Sequence, residues 1–67
     1  MSEYVHFIGI GGISMSGIAK VLLNNGIKVS GSDISESDTV AELRADGAEV
    51  FIGHDAKNIT NQTLVVY

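Results

Sequence analysis

The 67-residue chain has no cysteine, so neither a disulfide framework nor a thiolate metal site is open to it, and a cytoplasmic location is the expectation. Basic residues are scarce: four Lys and Arg stand against eight Asp and Glu, for a net charge of -4 and no basic run. That balance argues against a nucleic-acid or anionic-membrane partner, and any phosphate bound here has to be held by backbone N–H groups. No apolar run approaches the roughly 20 residues of a membrane span, and Ser2-Glu3 followed at once by a strand pattern is not the layout of a signal peptide. With 45% hydrophobic residues the composition is that of a folded globular protein. The length suits one small domain or a piece of one. The closing residues "TLVVY" read as a strand cut off without a turn or polar tail, so the natural chain is expected to continue past Tyr67.

What is present is an alternation of strand and helix signals. Tyr4 to Ile8 is a continuous apolar and aromatic run ended by glycine, the pattern of a strand buried on both faces of a parallel sheet. From Ser14 to Asn25 the residues Met15, Ile18, Ala19, Leu22 and Leu23 recur at helical spacing, and Gly26 follows as a left-handed stop. Ile27 to Ser30 predicts a second strand leaving through "GSD", Gly31 to Asp33. "SESD", Ser35 to Asp38, offers a capping box for a second helix that runs to about Ala45, buries Val40 and Leu43, and stops at Gly47. Glu49 to Ile52 is a third strand, "GHDAKNITNQ" a polar connection with room for one helical turn, and Thr63 to Tyr67 a fourth strand. Strands separated by helices lie parallel, which predicts an α/β, Rossmann-like βαβαβ(α)β sheet, half of a doubly wound fold, with the first strand between the second and fourth.

The stretch "HFIGIGGISMSGIA", His6 to Ala19, sets Gly9, Gly11 and Gly12 between the first strand and the first helix. In this architecture that turn lies at the carboxyl edge of the sheet, where helix N-terminal amides meet an anion. Gly9 permits the tight turn, Gly11 allows a ligand against the main chain, and Gly12 adds a second bare position. An ATP-binding P-loop is a poor match, because Gly12 to Gly17 is followed by Ile18 and Ala19 where Lys and Ser or Thr are needed. A dinucleotide fingerprint fits at Gly9 and Gly11 but has Ser14 at its third position. Asp33, at the end of the second strand, is placed to take ribose hydroxyls or to start a loop. These residues by themselves point to a nucleoside phosphate without saying which. His6 alternates with Tyr4 and Ile8 and reads as a packing histidine, and Met15 as a core residue. Glu36, Asp38, Glu42 and Asp46 read as the solvated face of the second helix.

"VHFIGIGGISMSGIA" (Val5 to Ala19), "VSGSD" (Val29 to Asp33) and "GAEVFIGHDAKNI" (Gly47 to Ile59), in that order, resemble the N-terminal domain of the Mur ligase family, in the group that adds L-alanine to UDP-N-acetylmuramate in peptidoglycan synthesis. The resemblance implies that residues 1–67 are most of a UDP-binding Rossmann-like domain, and that the central ATP-binding and C-terminal domains are absent. It implies a full-length enzyme that uses ATP and Mg2+ to make an acyl phosphate of the muramate carboxylate, which the amine of L-alanine attacks. This chain alone would bind and not catalyse; catalytic residues, metal ligands and cofactors are not expected in it, and L-alanine and ATP would act through the absent domains. Carried over, the resemblance makes Gly11, Gly12, Ile13 and Ser14, with Met15 and Ser16 opening the helix, the cradle for the UDP diphosphate. Asp33 and Ile34 would lie against the uridine, and His54 would sit at the edge of the same pocket or else be a solvated loop histidine. Many relatives have a small residue and then Gly where this chain has Ile13-Ser14. The alternative function is an NAD(P)-binding domain of an oxidoreductase or a ligand-sensing regulator; a domain with no measurable ligand is a third.

Overall fold

In the computed structural model, which describes residues 3–67, β1 (Tyr4–Ile8), β2 (Lys28–Asp33), β3 (Glu49–Ile52) and β4 (Leu64–Val66) make one parallel sheet in the order β3-β2-β1-β4. α1 (Ile13–Asn24) joins β1 to β2, α2 (Asp38–Ala45) joins β2 to β3, and a single 3-10 turn, Ala56–Asn58, lies between β3 and β4. The fold is thus the expected Rossmann-like half-sheet with β1 between β2 and β4. Met1 and Ser2, and with them the start of the segment read as unlike a signal peptide, lie outside the described residues.

Alternation of side chains along each strand gives the sheet two different faces. Val5, Phe7, Val29 and Val50 point toward the helices and join Ile10, Ala19, Val40, Leu43 and Ala48 in a dry core, with Met15, Leu22, Leu23 and Val66 packed against it. Both helices end in the same way. Gly26 (φ +76) donates its N–H to Leu23 O at 3.0 Å while Ile27 N–H reaches Leu22 O at 3.0 Å. Gly47 (φ +110) and Ala48 repeat this to Arg44 O and Leu43 O at 3.1 and 2.9 Å. These are paired glycine stops that satisfy the last carbonyls, and they need a residue that tolerates the left-handed region.

Several local expectations change. β2 runs on through Gly31, Ser32 and Asp33 instead of ending at Ser30, because Gly31 pairs with Phe7 and Val50 and Ser32 with Ile8 and Phe51. The capping box at Ser35 does not form. α2 starts two residues later than it requires, and Ser37, in extended backbone, accepts from Val40 N–H at 3.1 Å. That start places Val40 and Leu43, both fully buried, on the core side. Of the acidic residues assigned to a solvated face, Glu36 precedes α2 and Asp46 caps it. Glu36 bonds Arg44 at 2.6 Å and Glu42 bonds Lys20 at 2.8 Å, exposed pairs of small energetic weight. α1 begins at Ile13 rather than Ser14, and β4 is trimmed to Leu64–Val66.

The second face is polar and is covered by the β3–β4 connection. His6, Ser30 and Ser32 are buried there. Gln62 Nε2 donates to Ser30 Oγ at 3.0 Å and to Asn58 O at 2.9 Å, and Ser30 Oγ lies 2.7 Å from His6 Nδ1. At the amino end of this face Lys28 Nζ stands 4.3 Å from the centre of the Tyr4 ring. Burial, and secondarily the neighbouring His54, pushes the His6 imidazole below the ordinary histidine value.

Gly31 is the tightest point of the core. A Cβ there would lie 2.6 Å from Ile10 Cδ1, 2.7 Å from Ile10 Cβ and 2.9 Å from Phe7 O, whereas one at Gly17 in α1 would meet nothing. Gly31→Ala is therefore expected to destabilise by about 1–3 kcal/mol, the range of core overpacking. Gly17→Ala is expected to stabilise by roughly 0.5–1 kcal/mol through helix propensity; urea denaturation of both variants checks the contrast. A second expectation concerns pH. Because the folded-state value of His6 is depressed, the unfolded chain binds the proton more readily. The His6 contribution is thus fully present above the unfolded value of about 6.5 and is lost as pH falls from there toward the lowered folded value. Urea midpoints measured across that window should slope downward on the acid side, and the slope should flatten in His6→Gln.

Candidate functional site

The turn that leaves β1 is pinned to the end of β2. Gly9 takes φ +82, and its N–H and that of Ile10 both donate to Ser32 O, at 2.8 and 3.0 Å. Ile10 then drops into the core against Gly31. Gly11 N–H donates to Asp33 Oδ2 at 2.8 Å, and Gly12 N–H donates to Gly9 O at 3.0 Å. Gly12 is the N-cap residue of α1 and brings no side chain to it. Ser16 is buried and turned inward, with its N–H on Gly12 O at 2.8 Å and its hydroxyl on Ile13 O at 3.1 Å. The N–H groups of Ile13, Ser14 and Met15 have no acceptor among the described residues. α1 carries no acidic residue in its first turn, while α2 has Ser37 and Asp38 at its start and the 3-10 turn has Asp55. Open amides and an unneutralised helix dipole make the start of α1 a place for an anion.

The sequence-predicted residues divide accordingly. The amides of Ile13, Ser14 and Met15 are available, with Ile13 and Ser14 exposed and Met15 half-buried on the core. Those of Gly11, Gly12 and Ser16 already hold the loop together. A Cβ on Gly11 would stand 2.6 Å from Asp33 Oδ2 and 3.3 Å from Val40 Cγ2, so the space beside Gly11 is filled by the chain's own carboxylate. Asp33 Oδ1 accepts from Ile34 N–H at 2.8 Å, and the Ile34 side chain is exposed. His54 follows β3, and its Nδ1 lies 2.6 Å from Ser32 Oγ. Between His6, Ile8 and Ser32 on the sheet and His54, Ala56 and Ile59 on the connection opens a cavity of about 250 Å³, to which Asp55 also contributes. Ser32 was not singled out from sequence; its alternation with Ser30 along a strand was the available signal.

Lys20 and Arg44 are paired with Glu42 and Glu36, Lys28 lies over Tyr4, and Lys57 sits in the 3-10 turn. None of these cations is hydrogen-bonded to the glycine loop among the described residues. No group of three or more His, Cys, Asp or Glu side chains converges to hold a metal ion among the described residues. The two Ser–His contacts, His6 with Ser30 and His54 with Ser32, have no carboxylate hydrogen-bonded to the imidazole among the described residues. What the edge can do is bind an anion on backbone amides and a small planar or polar group in the cavity beside it.

Known proteins agree with that reading of the fold. A family model described as "Mur ligase family, catalytic domain" matches residues 4–67. The UDP-N-acetylmuramate-L-alanine ligase of Clostridium novyi (strain NT) is 64% identical over 66 residues, which is 98% of this chain and 14% of that protein. The ligase of the same name from Hydrogenobaculum sp. (strain Y04AAS1) is 60% identical over 62 residues, 92% of this chain and 14% of that protein. The crystal structure of UDP-N-acetylmuramate-alanine ligase MurC from Thermotoga maritima superposes with a TM-score of 0.87 at 44% identity, over 92% of this chain and 14% of that one. The chain therefore spans a small part of the length of the relatives it matches. With the family model extending over nearly all of its residues and the sheet order, glycine loop and helix starts described above, the chain belongs to the Mur ligase family.

Proposed function

We propose that this chain is the UDP-binding portion of a ligase that joins L-alanine to the carboxylate of UDP-N-acetylmuramate with ATP, through an acyl phosphate. The observation that carries the reading is the start of α1, where the N–H groups of Ile13, Ser14 and Met15 lack acceptors in a chain of net charge -4. Such a site holds a diphosphate by dipole and hydrogen bonds, without a cationic side chain. Asp33 and Ile34 lie at the nucleoside end, and His54 borders the cavity. At about 250 Å³ that cavity is smaller than the roughly 300–1,000 Å³ of sites that enclose a whole drug-sized ligand, so it suits one ring or one polar group. The names of the relatives support UDP-N-acetylmuramate as the ligand. ATP, Mg2+ and L-alanine act, on this reading, at regions other than residues 1–67, and the location is cytoplasmic. No helix among the described residues is long and apolar enough to cross a membrane.

Isothermal titration tests the assignment. Saturable binding of UDP-N-acetylmuramate is expected, and binding of NAD(H) with no response to UDP or the UDP-sugar overturns it in favour of a dinucleotide-binding module. Ile13→Pro sharpens the test. Ile13 is the first helical residue, is 94% exposed, and follows Gly12 at φ -67, ψ 155, a conformation compatible with a following proline. The substitution removes one N–H and little else. It should leave urea stability within about 0.5 kcal/mol of the parent. UDP-sugar affinity should fall by about 1.5–3 kcal/mol, the worth of a hydrogen bond to a charged group.

A further inference from the structure

We propose that Asp33 is a positioning residue for the anion site, acting through Gly11. This rests on the reading of the α1 start as the diphosphate site and adds a role that a contact with the nucleoside would not supply. Asp33 ties together the loops of the carboxyl edge. Its Oδ2 accepts from Gly11 N–H at 2.8 Å, its Oδ1 accepts from Ile34 N–H at 2.8 Å, and its carbonyl accepts from Gly53 N–H at 2.7 Å. The preceding residue completes the arrangement: Ser32 O holds Gly9 and Ile10, and Ser32 Oγ holds His54 Nδ1. The glycine loop and the His54 loop are therefore both bonded to one dipeptide at the end of β2.

Electrostatics alone would place no carboxylate here. A negative charge one residue from the N-cap Gly12 competes with the anion for the same helix dipole. Its retention makes sense if the carboxylate orders the loop. With Gly11 N–H engaged inward and Gly12 N–H on Gly9 O, the following amides of Ile13, Ser14 and Met15 are the ones presented to the ligand. The absence of a side chain at Gly11 is the other half of the device, since a Cβ would meet Asp33 Oδ2 at 2.6 Å.

The two effects of Asp33 have opposite signs, which makes them separable. Binding of inorganic pyrophosphate and of UDP should be compared in the parent protein, Asp33→Ala and Asp33→Asn, together with hydrogen exchange at the Gly11 amide by NMR. Asp33→Ala is expected to weaken pyrophosphate by roughly 10-fold or more, although it removes a repelling charge, and to speed Gly11 exchange. Asp33→Asn keeps an oxygen for Gly11 while losing the charge, and is expected to protect the amide and bind pyrophosphate at least as tightly as the parent. Pyrophosphate binding in Asp33→Ala equal to or tighter than the parent overturns the proposal, as does equal weakening in both variants. A parent protein that binds neither pyrophosphate nor UDP overturns the UDP reading instead. Gly11 exchange then decides the positioning role: faster exchange in Asp33→Ala alone supports it, and unchanged exchange overturns it.

Discussion

The close contact between Ile10 and the bare backbone of Gly31 is the constraint from which the carboxyl edge is built. Ile10 is the first residue beyond the left-handed turn at Gly9, and it is fully buried directly over β2, where any Cβ on Gly31 would lie within 2.7 Å of its side chain. Once Ile10 is seated, the N–H groups of Gly9 and Ile10 come within reach of Ser32 O, Gly11 reaches Asp33, and Gly12 becomes the cap residue of α1. The direction of α1, and with it the burial of Ala19 and the packing of Leu22 and Leu23, follows from that seat. A glycine inside a strand is ordinarily a weakness; here it is the socket that lets another backbone come close.

The sheet's two faces work by different physics. Against the helices the core is dry and aliphatic, held by burial and close packing. On the other side His6, Ser30 and Ser32 are buried with hydrogen-bond partners, and no buried side-chain N or O among the described residues is left without one. Such a face stabilises only while every group is paired. It also discriminates register, because a slip by one residue would turn Ser30, Ser32 and His6 into the dry core and bring Val5 and Phe7 under the polar connection.

An acidic chain can still offer positive potential at one edge. Three of its four basic side chains are engaged elsewhere, Lys20 at Glu42, Arg44 at Glu36 and Lys28 over the Tyr4 ring. Positive potential at the glycine loop comes from the oriented amides of α1, which are fixed by the fold and need no side chain to be ordered when a ligand arrives. The side chains of Ile13 and Ser14, in the first helical turn, leave the N–H directions unchanged.

Much of this protein was legible in its sequence. The alternation of strand and helix, the limits of β1 and β3, the burial of Val40 and Leu43, and the helix stops at Gly26 and Gly47 all follow from periodicity and local sterics, which act within a few neighbouring residues. Those same local rules offered Ser35 as a cap and "GSD" as a loop, and there tertiary structure decided otherwise. Ser37 caps because α2 has to start where Val40 and Leu43 reach the core, and Gly31 to Asp33 stay in β2 because Gly31 and Ser32 pair with strands on both sides and Asp33 with β3. The site divides in the same way. The glycine loop and Asp33 could be seen in the chain, but which amides remain open, and that Asp33 binds Gly11 and Ser32 meets His54, depend on partners 22 residues apart brought together by strand register. Local pattern carries the elements; only the assembled sheet determines which polar groups are already paired and which are left for a ligand.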